Sequence, residues 1–184
     1  MSARPSPRSG GDGRAPVKHK PFFLLAFVLA SALAVVAVDA SSLKPPPGVS
    51  VAIIVFGDLQ CPACAQAEPL LQQAATAQNV PLVFYDFPLR QHPWAFDAAV
   101  LARFIEENWG ANVSDEFRHY IYLNQPQITK GNVRLYAEKF ATSRKLQIPF
   151  AVDPQGKLAS KVKADEAMGV QIGLTETPTI IVAS

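Results

Sequence analysis

Cysteine and histidine, the usual zinc ligands, are scarce in this chain of 184 residues, which holds two cysteines and three histidines. A structural zinc site normally takes four such ligands. Here the cysteines are Cys61 and Cys64, His19 lies in an N-terminal tail, and the remaining candidates are His92 and His119. The sequence therefore predicts no metal site.

Excess charge is also lacking, since the formal net charge is +2. The first 20 residues carry a net charge of +4, which leaves −2 for the rest of the chain. A mildly acidic body offers no basic surface for nucleic acid. We therefore expect no nucleic-acid partner. The basic tail, 1–20, is rich in proline, glycine and serine and is predicted to be disordered.

Long apolar runs are absent except for PFFLLAFVLASALAVVAV, residues 21–38. Its 18 uncharged residues approach the ~20 that span a bilayer as a helix. Positive charge precedes it, so the positive-inside rule places the tail in the cytoplasm and the body outside. We predict a transmembrane anchor over 21–40. The alternative is a signal peptide, cleaved to give a secreted or periplasmic protein. A proline-rich linker, 41–49, follows.

The remaining residues, 50–184, are predicted to form one domain. Residues 49–58 are β-branched and apolar, as in a buried strand, and 81–89 indicate a second strand. Between them, 61–78 are rich in alanine and glutamine and predict a helix, with Pro62 in its first turn. Such a βαβ unit favours parallel strands.

Helical periodicity then dominates over 92–110, 114–124, 131–146 and 154–173. A last apolar strand is predicted over 177–184. The expected fold class is therefore α/β, with a helical insertion at about 92–170. Within the insertion, Ser114 is predicted to cap a helix, and Arg103 is predicted to lie on a solvated helix face with Glu106 and Glu107.

The last strand should pair with another, yet no turn and no partner strand follow it in the sequence. We therefore expect the hairpin partner of this strand to be missing, as in a truncated chain.

The two cysteines form the motif CPAC at the start of the first predicted helix, 61–78. Cys61 would lie at the helix N-terminus, where free N–H groups stabilise a thiolate. Cys64 would lie one turn further in and be more buried. A redox-active dithiol is the favoured interpretation. A zinc site and an inert pair of core cysteines are the alternatives.

A second unusual feature is Thr177-Pro178, at the start of the last strand. A proline there removes a main-chain hydrogen-bond donor from the strand, so its presence calls for a structural explanation. A cis peptide bond is one such explanation, because X–Pro bonds adopt the cis form at modest cost.

Three motifs occur in an order typical of one family: FGDLQCPAC at 56–64, DFPLRQHP at 86–93 and TETPT at 175–179. From about 51 to the end, the body resembles the DsbA-like thioredoxin-fold oxidoreductases of bacterial envelopes. The resemblance implies a thioredoxin-like fold with a helical insertion between the second and third core strands. It also implies a C-terminal hairpin partner and helix, which this sequence lacks.

By this resemblance, Cys61 is the nucleophile and Cys64 resolves the mixed disulfide. Pro178, expected in cis, shapes the substrate groove, and the Thr177 main chain pairs with an extended substrate. No cofactor is expected beyond a redox-active Cys61–Cys64 disulfide.

The chain departs from the family at Val55, where many relatives carry a buried acid that moves the resolving cysteine's proton. Asp58 is a candidate to assist instead, or else a turn or cap residue. Pro62 and His92 are further candidates for assisting roles, although His92 also fits a helix entry. Ala63 replaces the histidine of the most oxidising members, so a less oxidising disulfide is expected.

The predicted protein is a membrane-anchored envelope thiol–disulfide oxidoreductase that donates disulfides to exported, cysteine-containing proteins. The family implies re-oxidation by a quinone-coupled thiol oxidase in the membrane. One alternative is an envelope reductase that receives electrons through the membrane. Another is a binding module in which the cysteines form a structural disulfide.

Overall fold

The computed structural model describes Met1 and residues 39–184. The predicted tail, 1–20, and the apolar run, 21–38, lie outside the described residues apart from Met1. Within the described part, no helix is both long and apolar enough to cross a bilayer. The strands and helices given below all belong to one compact unit that ends at Ser184.

The centre of the fold is a three-stranded sheet in the order β2-β1-β3. Strand β1 (Ala52–Gly57) is buried along its whole length, as its apolar, β-branched sequence predicts. Strand β2 (Leu82–Asp86) runs parallel to it, with Val55 opposite Phe84. Strand β3 (Thr179–Ala183) runs antiparallel on its other side.

Helices cover both faces of this sheet because alternate residues of β1 point to opposite sides. Ile53 and Val55 pack in a cluster with Ala75 of helix α1 (Pro62–Gln78). Ile54 and Phe56 belong to a second cluster, which includes Met168 of helix α5 (Lys157–Gln171). The parallel βαβ unit of the sequence prediction is therefore confirmed.

The helical insertion lies between β2 and β3 in the chain, as predicted. It consists of α2 (Ala95–Trp109), α3 (Ala111–Asn124), a 3₁₀ turn (Gln125–Gln127), α4 (Val133–Ser143) and α5. Its core is rich in aromatic and branched side chains and also contains both cysteines. The insertion and the cysteine-bearing end of α1 therefore share one hydrophobic core.

The predicted helix cap at Ser114 is wrong. Helix α3 begins three residues earlier, at Ala111, and Gly110 directly after α2 takes a positive φ of 92°. That backbone conformation suits glycine and reverses the chain without a longer loop. Ser114 is instead buried, and its hydroxyl donates a 2.9 Å hydrogen bond to the Ala102 carbonyl of α2.

Arg103 does not lie on a solvated face, contrary to the sequence prediction. Its Nε donates to the buried Asp86 carboxylate at 2.6 Å, and its Nη2 donates to Asp165 at 2.5 Å. Arg118 donates to the other Asp86 oxygen at 2.7 Å. The helical periodicity predicts a solvent-exposed Arg103 because Glu106 and Glu107 follow it. The Asp86 carboxylate at the end of β2 instead binds the guanidinium in the interior. Asp86 thereby ties the sheet to α2, α3 and, through Asp165, α5.

Replacing Arg118 by methionine should lower the free energy of unfolding by about 3 kcal/mol, because the buried Asp86 carboxylate would lose one of its two guanidinium partners. Urea denaturation at pH 7 measures this. The matched control is Lys161→Met, since Lys161 pairs with Glu107 in solvent and such pairs contribute less than about 1 kcal/mol. Equal losses for the two variants would contradict a special role for the Asp86 network.

Candidate active site

The CPAC motif forms the start of α1. Cys61 is the N-cap residue, with extended φ and ψ of −75° and 120°, and the exposed Pro62 follows at the first helical position. Proline fits there because its φ is already helical and the missing N–H has no intrahelical partner. Cys61 therefore lies at the N-terminus of the helix, although its side chain takes no capping hydrogen bond from the first turn. A helix N-terminus in general favours negative charge.

The chain brings Thr177 to the same point from 116 positions away. The Cys61 sulfur lies 3.4 Å from the Thr177 carbonyl oxygen. The Thr177-Pro178 peptide bond is cis, as expected from its place before the last strand. The main chain of Thr177 and the ring of Pro178 therefore border the two cysteines at one end of the sheet.

The two thiols are free, and both are buried, at 6% exposure for Cys61 and 4% for Cys64. Cys64 is therefore only slightly more buried than Cys61, although the chemistry of the two thiols differs. Burial raises the pKa of Cys64 to about 12, and the main chain of Asp58 and the side chain of Thr177 oppose the shift. Cys64 is thus a neutral thiol at physiological pH.

Asp58 lies below the cysteine loop with its carboxylate fully engaged. One oxygen accepts from the main-chain N–H of Gln60 at 2.6 Å. The other accepts from the Leu89 N–H and lies 2.7 Å from Nδ1 of His92. The carboxylate therefore joins the loop before α1 to the loop after β2, so Asp58 and His92 act in the structure as one clamp. A chemical role for either remains a prediction.

In the described part of the chain, no three His, Cys, Asp or Glu side chains are placed together to hold a metal ion. Two thiols one helical turn apart are suited to dithiol–disulfide exchange.

A family model described as Thioredoxin matches residues 47–184. The chain belongs to the thioredoxin family. No curated protein matches it. Together with the CPAC motif, the match supports the prediction of a thiol–disulfide oxidoreductase.

Solved structures of DsbA-type proteins share the fold of this thioredoxin-family chain. The thiol-disulfide exchange protein alpha-DsbA2 of Wolbachia pipientis has a TM-score of 0.61 at 14% identity, over 76% of this chain and 74% of that one. DsbA2 of Pseudomonas aeruginosa has a TM-score of 0.56 at 19% identity, over 76% and 77%. Oxidised BdbD of Bacillus subtilis has 0.59 at 19%, over 76% and 79%. The predicted DsbA-like thioredoxin fold is confirmed.

Two glutamines hold the cysteine loop of this thioredoxin-family site, and neither was predicted. The Gln125 side chain donates to the main-chain carbonyls of Leu59 and Cys61, at 2.8 and 3.1 Å. The Gln60 side-chain oxygen accepts from the Trp94 N–H at 2.9 Å. All three bonds reach from the loop to the insertion. Nothing in the residue type marks a glutamine as a loop anchor, so sequence reasoning had no signal for them.

A cavity of about 30 Å³ lies behind Cys64. Val55 lines it, at the position where an acid was sought, together with Glu68, Arg118 and Tyr122. The acids that line this space come from α1 and α3, as Glu68 and Asp115.

Cys64 should react slowly with iodoacetamide in a Cys61→Ala variant, because only the thiolate is nucleophilic. With a pKa of about 12, the rate should rise about tenfold per pH unit from pH 7 to 11. Mass spectrometry at timed intervals measures it. The control is Cys64→Ala, in which Cys61 at the helix N-terminus should react faster at pH 7. A Cys64 rate that levels off near pH 9 would contradict the burial effect.

Proposed function

We propose that this chain is a membrane-anchored thiol–disulfide oxidoreductase that donates disulfides to exported proteins. The observation that carries the proposal is the placement of Cys61: its sulfur lies at the N-terminus of α1 and 3.4 Å from the carbonyl of Thr177, beside cis-Pro178. A substrate strand that pairs with the Thr177 main chain would present its sulfur directly to Cys61.

The proposed reaction has two exchanges. A substrate thiolate attacks the Cys61 sulfur of the Cys61–Cys64 disulfide, and Cys64 leaves and takes up a proton. A second substrate thiolate then attacks the substrate sulfur of the mixed disulfide. The substrate leaves with a disulfide, and Cys61 leaves as a thiolate at the helix N-terminus, where its charge is stabilised. Both electrons remain on the enzyme, which becomes a dithiol.

Turnover requires a partner that removes these two electrons. We propose a quinone-coupled thiol oxidase of the membrane, as the DsbA-like family implies. Proximity to such a partner fits an anchor at 21–38, whose uncharged apolar sequence follows a basic tail. A cleaved signal that releases the domain to the periplasm is the alternative, and the mass of the mature protein separates the two.

The reverse direction is a second candidate because the same two thiols serve a reductase. The high pKa of Cys64 favours the reductase direction. A thiol that stays protonated does little to stabilise the reduced enzyme, and the disulfide is then less oxidising. A binding module with a static disulfide is less favoured, because the Cys61 sulfur lies beside the main chain that a substrate would pair with.

The reduction potential of the Cys61–Cys64 pair, measured by glutathione equilibration, tests the direction. For a disulfide donor we expect a reduction potential of about −120 to −180 mV, nearer to −180 mV. A potential near about −270 mV would instead indicate a reductase. If no reversible two-electron couple appeared, the enzyme proposal would fail and the static disulfide would stand.

Replacing Cys64 by serine should trap substrates on Cys61. The variant keeps the attacking sulfur and loses the resolving one, so mixed disulfides with exported proteins should accumulate and appear on non-reducing gels. Cys61→Ser is the matched control and should trap none. Equal trapping by the two variants would contradict the assignment of Cys61 as nucleophile.

A further inference from the structure

The residues that follow the apolar run are packed onto the domain. This docked segment, 39–49, includes the proline-rich linker of the sequence prediction. The side chain of Leu43 is 6% exposed and belongs to the hydrophobic cluster that contains Phe56 of β1 and Ile172. The main-chain N–H of Asp39 donates to the carbonyl of Ile172 at 3.2 Å. The segment is therefore attached to the sheet and to the residue that ends α5.

The docked segment also has local structure of its own. One turn is closed by the Leu43 N–H, which donates to the Ala40 carbonyl at 3.0 Å. A second turn is closed by the Val49 N–H, which donates to the Pro46 carbonyl at 3.2 Å. The three prolines at 45–47 restrict the undocked chain, so docking orders fewer conformations than it would in a glycine-rich linker. These features favour a segment that stays on the domain.

Docking limits the distance between the start of the segment and the cysteines. Ile172, which binds the N–H of Asp39, precedes Thr177 by five residues, and five residues span at most about 18 Å. The Thr177 carbonyl oxygen lies 3.4 Å from the Cys61 sulfur. Asp39 therefore lies within about 30 Å of Cys61. Because a domain of this size is about 40 Å across, attachment at the pole opposite the cysteines is excluded.

This limit matters because the proposed membrane anchor ends at Val38, directly before the docked segment. A free linker of about eleven residues would separate its ends by about 18 Å on average and by up to about 37 Å when extended. With the segment docked, that separation is not added. Cys61 then stays within about 30 Å of the point where the chain leaves the bilayer, whichever way the domain turns.

We propose that the docked segment confines the cysteine site to the membrane surface, and that the preferred substrates are dithiols of proteins held at the bilayer. This proposal rests on the proposed anchor and on the proposed exchange function. Confinement of both reactants to a thin layer raises their effective concentration, and soluble exported proteins lack this advantage. The same confinement keeps Cys61 close to the thiols of a membrane-bound oxidase.

Energy transfer to labelled lipid tests the distance, in the full-length chain in vesicles of phosphatidylcholine and phosphatidylglycerol. Cys61→Ala and Cys64→Ala are combined with Gln66→Cys, which carries one dye at an exposed position of α1, and the lipid headgroups carry the acceptor. A Gly-Ser spacer of about 20 residues, inserted between Val38 and Asp39, adds about 25 Å. The spacer should lower the energy transfer about twofold. Equal transfer with and without it would overturn the confinement.

Two substitutions test whether docking is the cause. Leu43→Asp puts a charge into the hydrophobic cluster and should release the segment, so energy transfer should fall toward the value of the spacer variant. Val49→Asp is the matched control, since Val49 is 43% exposed, and it should leave the transfer unchanged. Unchanged transfer in a Leu43→Asp chain that folds by circular dichroism would contradict the role of docking. If that variant did not fold, the spacer variant would decide, because it leaves 39–184 unaltered.

A reduced dithiol peptide tests the substrate preference in a single turnover of the oxidised chain. The peptide is either coupled to a lipid headgroup or free in solution. It leaves as a disulfide, and the Cys61–Cys64 bond becomes two thiols. The spacer should slow oxidation of the lipid-coupled peptide about threefold and leave the rate of the free peptide unchanged, because only the membrane-bound reaction gains from confinement. An unchanged rate for the lipid-coupled peptide would overturn the substrate preference.

The outcomes separate this proposal from the function on which it rests. If the chain oxidised neither peptide, the exchange function would fail, whatever the energy transfer. If carbonate extraction released the full-length chain from the vesicles, the anchor would fail and the confinement with it. A chain that oxidises the free peptide, but in which the spacer changes neither the energy transfer nor the lipid-coupled rate, would overturn the confinement alone.

Discussion

The buried carboxylate of Asp86 is the interaction on which the arrangement of this molecule depends. It lies at the end of β2 and accepts from Arg103 of α2 and Arg118 of α3, while Arg103 also reaches Asp165 of α5. A buried ion network is costly to desolvate and contributes little net stability, but it strongly disfavours arrangements that leave a charge unpaired. It therefore acts on the orientation of the insertion more than on its stability. Because Arg118 is held in this way, the rest of α3 is placed against α1.

That orientation matters because the insertion completes the cysteine site. The Gln125 side chain, just after α3, holds the carbonyls of Leu59 and Cys61, and the Trp94 N–H before α2 binds Gln60. The Asp58 clamp adds the loop that follows β2. The cysteine loop is thus held from several elements distant in sequence, and its geometry is preorganised before any substrate binds.

The sequence was sufficient for the elements and their order, because β1 is a continuous apolar strand and the insertion helices show clear periodicity. The CPAC motif and Thr177-Pro178 were recognisable because cysteine spacing and proline carry strong local constraints. What could not be predicted were pairings between residues far apart. The sequence predicts a surface position for Arg103 because nothing near it in the chain reveals Asp86. It predicts a cap at Ser114 because Gly110, which precedes the true start of α3, carries no capping side chain. Gln125 holds the cysteine loop through contacts that exist only after folding.

The burial of Cys64 bears on the redox direction. A disulfide is more oxidising when its reduced form is stabilised as a thiolate, and Cys64 adds nothing to that stabilisation because its thiol stays protonated. The stabilisation then depends on Cys61 and the helix N-terminus, without help from the apolar side chain of Ala63. A donor of this design would be moderate in strength, and the departure of Cys64 would be slow unless a proton arrived with it.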